Sequence, residues 1–327
     1  MKPLILSFLA CALVAQQPRV LNGRVETKAV SILEKDFQSF VASSTGPTWI
    51  GYSVPKISSM NKSCSDGDRF TSEAKRATGP VQLEGAQFGA VLYRIEQKKV
   101  QKVRVFALDC ELDAGGLPLV WLTGVKPAES LALLATMVQQ HTDSALAGIA
   151  VHADPAADRM IEGYTAADQP AELRQKAVFW LGAARGKRGY EVLARIVRED
   201  RDEKVRDKAV FALYVSKEPG ATDAIVRAAK EDSSAHVRGQ ALFWLAQKAG
   251  AKATGAISDA IANDPDTDVK KKAVFALSQL PTDQGVPMLI EVARNNRNPA
   301  VKKQAFFWLG QSKDPRALQF FETVLTR

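Results

Sequence analysis

Apolar positions in the C-terminal half of the chain follow two periods at once, a helical one of about 3.6 residues and a longer one of 32. The nine residues Leu173-Arg174-Gln175-Lys176-Ala177-Val178-Phe179-Trp180-Leu181 return in kind at 205–213, 237–245, 269–277 and 301–309, without an insertion. A repeat of that length predicts stacked two-helix units rather than one closed globule. In the first helix, Leu173, Ala177, Trp180 and Leu181 share the inward face, with Val178 and Phe179 on its flanks. In the second, Tyr190 to Arg198, the inward residues are Leu193, Ile196 and Val197, and Ile225, Ile257, Leu289 and Phe321 occupy the slot of Leu193 in later repeats. Residues 180, 212, 244, 276 and 308 alternate between Trp and Ala, which predicts large and small side chains interdigitating in the core.

The pattern upstream is mixed. Apolar residues from Val30 to Val41 have helical spacing, Thr48 to Val54 reads as a strand closed by Pro55, and a polar loop follows over about 57–70. Two further apolar runs, Ala90 to Ile95 and Val103 to Leu108, flank the polar stretch Glu96 to Lys102 and predict an antiparallel hairpin. Residues 19–125 are therefore expected to form a small α+β domain. Residues 126–168 hold a helix around Leu131 to Val138 and a degenerate repeat, in which Ala145, Ala147 and Ile149 keep the register but His141-Thr142 replace the Leu-Arg pair. Five full repeats occupy 169–327. The expected fold is mainly α, a solenoid preceded by a small α+β domain.

The first residues add a compartment. Met1-Lys2-Pro3 followed by an apolar run from Leu4 to Ala15 has the form of a secretory signal peptide and is too short for a membrane-spanning helix. Cleavage after Ala12 or Ala15 fits, with Ala15 favoured and the signal taken as 1–15. Phe8-Leu9-Ala10-Cys11 resembles a bacterial lipobox, so membrane attachment is expected only if Cys11 is lipidated. Cys64 and Cys110 then remain in an oxidising compartment, as a bridge from the Ser63 to Gly67 loop to a strand end or as two separate buried thiols.

The 32-residue unit, with Val-Arg and Ala-x-x-Ala/Trp-Leu in its first helix, resembles HEAT and HEAT-like repeats, known also from phycobilisome-lyase-type proteins. The resemblance covers about residues 137–327, and the layout is similar to that of bacterial exported HEAT-repeat proteins. It implies that first helices form the convex surface and second helices the concave one. It also implies a ladder between repeats, pairing Arg174, Arg206, Arg238, Lys270 and Lys302 with Asp168, Asp200, Asp232, Asp264 and Asn296.

That ladder absorbs much of the basic excess, which stands at +8 for the whole chain and +7 once Lys2 is removed. The remainder, with a pI near 9.3, favours acidic surfaces or anionic proteins over specific nucleic acid. HEAT-repeat enzymes resembling deoxyhypusine hydroxylase hold two irons on His-Glu pairs; here the histidines stand in His141-Thr142, His152-Ala153 and His236-Val237, so no such site, metal or cofactor is expected. Asp109 to Gly116 resembles a calcium loop but lacks glycine at the sixth position and the final glutamate.

Outward positions of the second helices do not repeat. Arg195 and Arg227 become Asp259 and Glu291, and Glu191 and Asp223 give way to Gly255 and Pro287. These six charged residues are the expected partner-binding positions. Phe306, Phe320 and Phe321 mark a C-terminal end expected to dock a second copy or another protein. The expected function is a non-catalytic, extracytoplasmic protein-binding scaffold using the concave face. The alternatives are an enzyme or enzyme accessory, with a polar cluster around Asp109, Glu111, Asp113 and Tyr93 or a site in the inter-domain cleft, and binding of an anionic polymer.

Overall fold

The computed structural model describes residues 17–57, 64 and 87–326; the signal-peptide, cleavage and lipobox readings lie outside them. The chain divides into two compact units at Asp154 and Pro155.

The first unit is built on a five-stranded sheet in the order β2 (Val25–Ala29), β7 (Leu119–Thr123), β3 (Thr48–Pro55), β4 (Phe88–Glu96), β5 (Lys99–Ala107). β7 runs parallel to both β2 and β3, while β3, β4 and β5 form an antiparallel meander. A separate parallel pair joins β1 (Arg19–Leu21) to β6 (Glu111–Asp113). Both sheet faces are covered. Ile50, Tyr52, Val54, Val91, Tyr93 and Ile95 are fully buried, as are Leu33 of α1 (Leu33–Ser43) and Leu134 of α2 (Pro127–Met137). Phe37 of α1 meets the Tyr93 ring edge-on at 4.8 Å. On the opposite face Leu92, Leu108, Leu119 and Trp121 pack with Val20, Trp49, Phe106 and Leu112. Strands buried on both faces lose the alternation that marks a half-exposed strand, and β7 reads simply as Leu-Val-Trp-Leu-Thr.

α2 and α3 (Thr142–Val151), which the sequence pattern groups with the repeats, belong to this first unit. A chain of buried polar groups joins them to the sheet. Tyr93 and Tyr52 hydroxyls lie 2.8 Å apart, Ser130 Oγ is 2.9 Å from Tyr52 and 2.9 Å from His152 Nε2, and His152 Nδ1 is 2.7 Å from the Gly148 carbonyl. Burial pushes the Tyr52 hydroxyl up to about 12 and raises Tyr93 well above the ordinary phenol value, so both stay protonated at neutral pH.

The hairpin starts earlier than the polar stretch suggests. Lys99 to Lys102 are paired strand, and only Gln97 and Lys98 turn the chain, both at positive φ, 50° and 57°. A two-residue turn of this kind matches the twist of the flanking strands but normally carries Asn-Gly. The polar stretch hides the turn because neither residue is a turn former.

In the second unit α4 (Pro155–Gly163) precedes five helix pairs: α5 (Ala171–Ala184) with α6 (Gly186–Glu199), α7 (Glu203–Val215) with α8 (Ala221–Glu231), α9 (Ala235–Ala249) with α10 (Thr254–Asn263), α11 (Thr267–Ser278) with α12 (Thr282–Asn295), and α13 (Pro299–Gln311) with α14 (Pro315–Leu325). Residues 202, 234, 266 and 298, two beyond each ladder residue, cap α7, α9, α11 and α13, their side-chain oxygens accepting backbone N–H groups of the first turn. Leu181, Leu213, Leu245, Leu277 and Leu309 are buried as expected, as are Leu193, Ile225, Ile257 and Leu289. Gly182 brings α5 and α7 into close contact, since a Cβ there would lie 2.1 Å from the Ala212 carbonyl oxygen.

Three residues of the interhelix ladder pair as full rungs. Arg174 binds Asp200, Arg206 holds Asp232 through two bonds of 2.8 and 2.9 Å, and Arg238 holds Asp264 at 2.8 and 3.0 Å. Each arginine therefore reaches the aspartate that opens the following repeat, 26 residues on. Arg206 and Arg238 also donate to the backbone carbonyls of Asp200 and Asp232. The lysines do otherwise: Lys270 and Lys302 reach back to the carbonyls of Ala262 and Arg294 at the end of the preceding helix.

Three outcomes follow from this geometry. Replacing Gln97-Lys98 by Asn-Gly removes two strained left-handed residues and is expected to raise stability by about 1 kcal/mol, read as an upward shift of the urea midpoint. Asp232→Ala strands the buried Arg206 charge and is expected to destabilise the array by about 3–5 kcal/mol, against about 1 kcal/mol for Asn296→Ala, whose side chain accepts only from Asn298 N–H. pH acts on the same rungs. Burial pushes the Asp264 carboxyl up, but Arg238 and the Asp266 N–H more than offset it and hold it below the usual carboxylate range. The native state then favours the ionised form, so the stabilisation is complete above the ordinary carboxylate value of about 4 and is lost as pH falls through the lower folded value. Urea midpoints at pH 6 and pH 3 should differ by less in Asp264→Asn than in the parent chain.

Candidate functional site

Of the second-helix charges, most are engaged within the chain. Arg195 and Arg188 share the Glu162 carboxylate of α4 at 2.9 and 2.6 Å. Burial alone would raise Glu162; the two guanidinium groups outweigh it and hold the carboxyl below its ordinary value. Glu191 sits 3.8 Å from Arg188 and 4.0 Å from Lys187. Asp259 accepts from Lys230 at 3.0 Å and from Asn263 at 2.7 Å, and Glu291 accepts from Asn295 at 2.6 Å. Asp223 and Arg227 are exposed, with Arg227 lining a recess of about 270 Å³ beside Arg198 and Glu231. Variation along these slots thus reflects local pairing at 195, 259 and 291.

The first helices carry the more continuous surface. They pack against one another in an unbroken series from α5 through α7, α9 and α11 to α13. The Trp/Ala alternation also differs from expectation. Ala212 and Ala276 are buried, but Trp180, Trp244 and Trp308 are half-buried, as are Phe179, Phe211, Phe243 and Phe275. Their rings form one connected row. Phe179 stacks on Phe211 at 6.1 Å, Phe211 meets Trp244 at 4.8 Å, Trp244 meets Phe243 at 4.8 Å, Phe243 stacks on Phe275 at 5.7 Å, and Phe275 meets Trp308 at 4.9 Å. Trp244 and Trp308 each lean on the phenylalanine of the repeat before, while Trp180 meets Phe179 of its own repeat edge-on; Ala212 and Ala276 leave room for phenylalanine to stack on phenylalanine. Across α9, α11 and α13 this surface opens into a groove of about 630 Å³, lined by His236, Asp268, Lys272, Phe275, Gln304 and Trp308 among others. The 32-residue spacing of the phenylalanines was the visible signal; helical phase put them on a flank, and the structure shows that flank only partly covered.

The remaining candidates separate. Cys64 is bonded to Cys110, with Cα atoms 5.5 Å apart. Glu111 pairs with Arg19, Asp113 accepts from Asn22 Nδ2 and from the Gly115 N–H, and Tyr93 is buried against Tyr52. Glu111 and Asp113 do share a recess of about 250 Å³ with Trp49, Leu92 and Arg104, on the sheet face away from Tyr93. No group of three or more His, Cys, Asp or Glu suited to a metal ion occurs among the described residues. At the C-terminal end Phe320 is buried under Phe306, and the Arg294 guanidinium covers its ring; Phe306 and Phe321 are half-buried. The apolar surface there belongs instead to Phe307, Leu318, Val324 and Leu325. Because Phe320 turns inward, Phe321 occupies the slot of Leu193 only in part.

A search of curated proteins returned no match. Among solved structures, a chain of the CpcE–CpcF complex of phycocyanin lyase from Nostoc sp. PCC7120 is 16% identical, covering 46% of this chain and 99% of its own, with a TM-score of 0.36. Escherichia coli YibA is 20% identical over 60% of this chain and 74% of its own, with a TM-score of 0.40. Human deoxyhypusine hydroxylase in complex with glycerol is 17% identical over 59% and 90%, with a TM-score of 0.31. Residues 158–246 and 256–327 match the family of HEAT repeats. Two-helix units on a 32-residue period, bolted by Arg-Asp rungs and matched to that family over nearly the whole second unit, make this chain a HEAT-repeat protein.

Proposed function

We propose that the chain is a non-catalytic, extracytoplasmic protein-binding scaffold whose repeat array supplies the binding surface. The observation that carries this reading is the unbroken row of half-exposed rings on the first helices, which offers an extended surface rather than a closed pocket. Half-exposed aromatic side chains combine large apolar area with few rotatable bonds, and interface cores favour them for that reason. Export rests on the pattern of residues 1–15. The second-helix face is the weaker candidate, because its charges at 195, 259 and 291 are already spent on neighbours within the array.

A photo-crosslinking residue placed at Gln240, on the first-helix face, or at Asp223, on the second-helix face, tests the reading in producing cells. The expected result is a discrete protein adduct from position 240, recovered in the extracytoplasmic fraction. No adduct from either position, or an adduct made only in the cytoplasm, would overturn the scaffold or its compartment respectively. Binding that is lost with rising salt and indifferent to the identity of the polyanion would instead select the anionic-polymer alternative.

A further inference from the structure

The outer flank of the last helix pair has the make-up of a repeat-to-repeat contact without its neighbour. Four of the six large apolar side chains exposed among the described residues, Phe307, Leu318, Val324 and Leu325, belong to α13 and α14, and the other two lie in the first unit. Leu325 is 83% exposed, whereas Val197, Ala229, Ile261 and Ala293 in the same slot are 8%, 2%, 5% and 2% exposed. Phe306 and Phe321 are half-buried, although the residues in their slots in all four preceding repeats are buried. Inside the array these positions meet the following pair. A Cβ on Gly182, in the slot of Gly310, would strike the Ala212 carbonyl, and one on Gly239, in the slot of Lys303, would strike the Lys272 side chain. Solenoid ends normally turn polar. Here the end slots carry larger apolar side chains instead, phenylalanine in place of Val or Leu at 306 and leucine in place of Val, Ala or Ile at 325.

The composition of the flank fits a second copy of itself. At the other end of the array α4 already packs over α5 and α6, with Ala157 and Ile161 fully buried and Asp158 and Glu162 bonded to Arg185, Arg188 and Arg195. That blocks head-to-tail stacking and leaves the flank to meet its like across a two-fold axis. α13 presents Lys303, Phe306, Phe307 and Gly310 at i, i+3, i+4 and i+7, and α14 presents Leu318, Phe321, Glu322 and Leu325 at the same spacing. A short turn between the helices reverses the chain, so Lys303 and Glu322 stand at the same end of the flank. Both are exposed, and among the described residues neither has an ion-pair partner. One unpaired cation on one helix and one unpaired anion on the other are self-complementary under a two-fold axis that runs along the helices.

We infer that the chain forms a two-fold dimer through its last repeat, with α13 of each copy lying over α14 of the other. Phe306 and Phe307 then meet Leu318 and Phe321 of the second copy, and each Lys303 pairs with the opposite Glu322. This surface is separate from the ring row, so the inference stands or falls apart from the scaffold reading.

The test is sedimentation velocity of the full chain over a wide concentration range. The expected result is a concentration-dependent species of twice the chain mass and none larger. Leu318→Glu combined with Leu325→Glu, both exposed in the single chain, is expected to raise the dimer Kd about tenfold or more. Lys303→Glu and Glu322→Lys are each expected to weaken the dimer, and the two together to restore it, as a double-mutant cycle of a direct pair requires. Circular dichroism verifies that each variant keeps its helices. A monomer at every concentration would remove the dimer, and species that keep growing would replace it with head-to-tail stacking. Insensitivity to the leucine variant would move the interface elsewhere, and charge variants without mutual rescue would undo the crossed arrangement of helices; each overturns the inference.

Discussion

The repeat array depends on the contact between an arginine near the start of one first helix and the aspartate that begins the next repeat. Arg206 and Asp232 have side chains only 10% and 2% exposed, so each charge has left water and is tolerable only because the other is there. The aspartate meanwhile accepts the N–H of the residue two places on, whose own side chain caps the next first helix. One desolvated pair thus fixes three things: where a second helix stops, where the following helix begins, and how far the two repeats are rotated against each other. The continuity of the aromatic row is downstream of that last quantity.

Much of the repeat unit was legible in the sequence, because its interactions are local and recur. A leucine that returns every 32 residues must meet the same surroundings each time, and an Arg that returns with an Asp 26 residues later announces its partner. The first unit was less legible. α1, β3 and the β4-β5 hairpin carry their own periodicity, but β2 and β7 exist only because each finds the other across the sheet, with Val25 opposite Leu119 some ninety residues away. The buried path from Tyr93 through Tyr52 and Ser130 to His152 has no sequence signature either, since its members come from two strands, one helix and the residue that caps another, and meet only in the folded unit.

Along the ring row, the sequence made the recurring aromatic residues visible but assigned them to the core. Helical phase places Trp180 and Phe179 toward a neighbour, but how fully a neighbour covers them depends on the spacing of the helix layers, which no single repeat encodes. The same limit applied to the second helices. Arg195 looks free to vary because its slot changes sign along the array, yet it is committed to Glu162, a residue in a helix that precedes the regular repeats. Variability identified positions outside the repeating frame without distinguishing solvent from a private partner.

The alternation of Trp and Ala gives the array a second, longer unit. Trp244 and Trp308 lean on the phenylalanine of the preceding repeat, and Ala212 and Ala276 admit a stacked phenylalanine pair, so the ring row repeats over 64 residues although the backbone repeats over 32. Excising α7 to α10, two whole repeats, would bring the same kinds of side chain together at the new junction. Excising one would bring two tryptophan-bearing or two alanine-bearing repeats side by side. In this molecule the backbone counts in ones and the side chains count in twos, which makes the pair of repeats the smallest module by which the array could be lengthened or shortened without rebuilding its aromatic row.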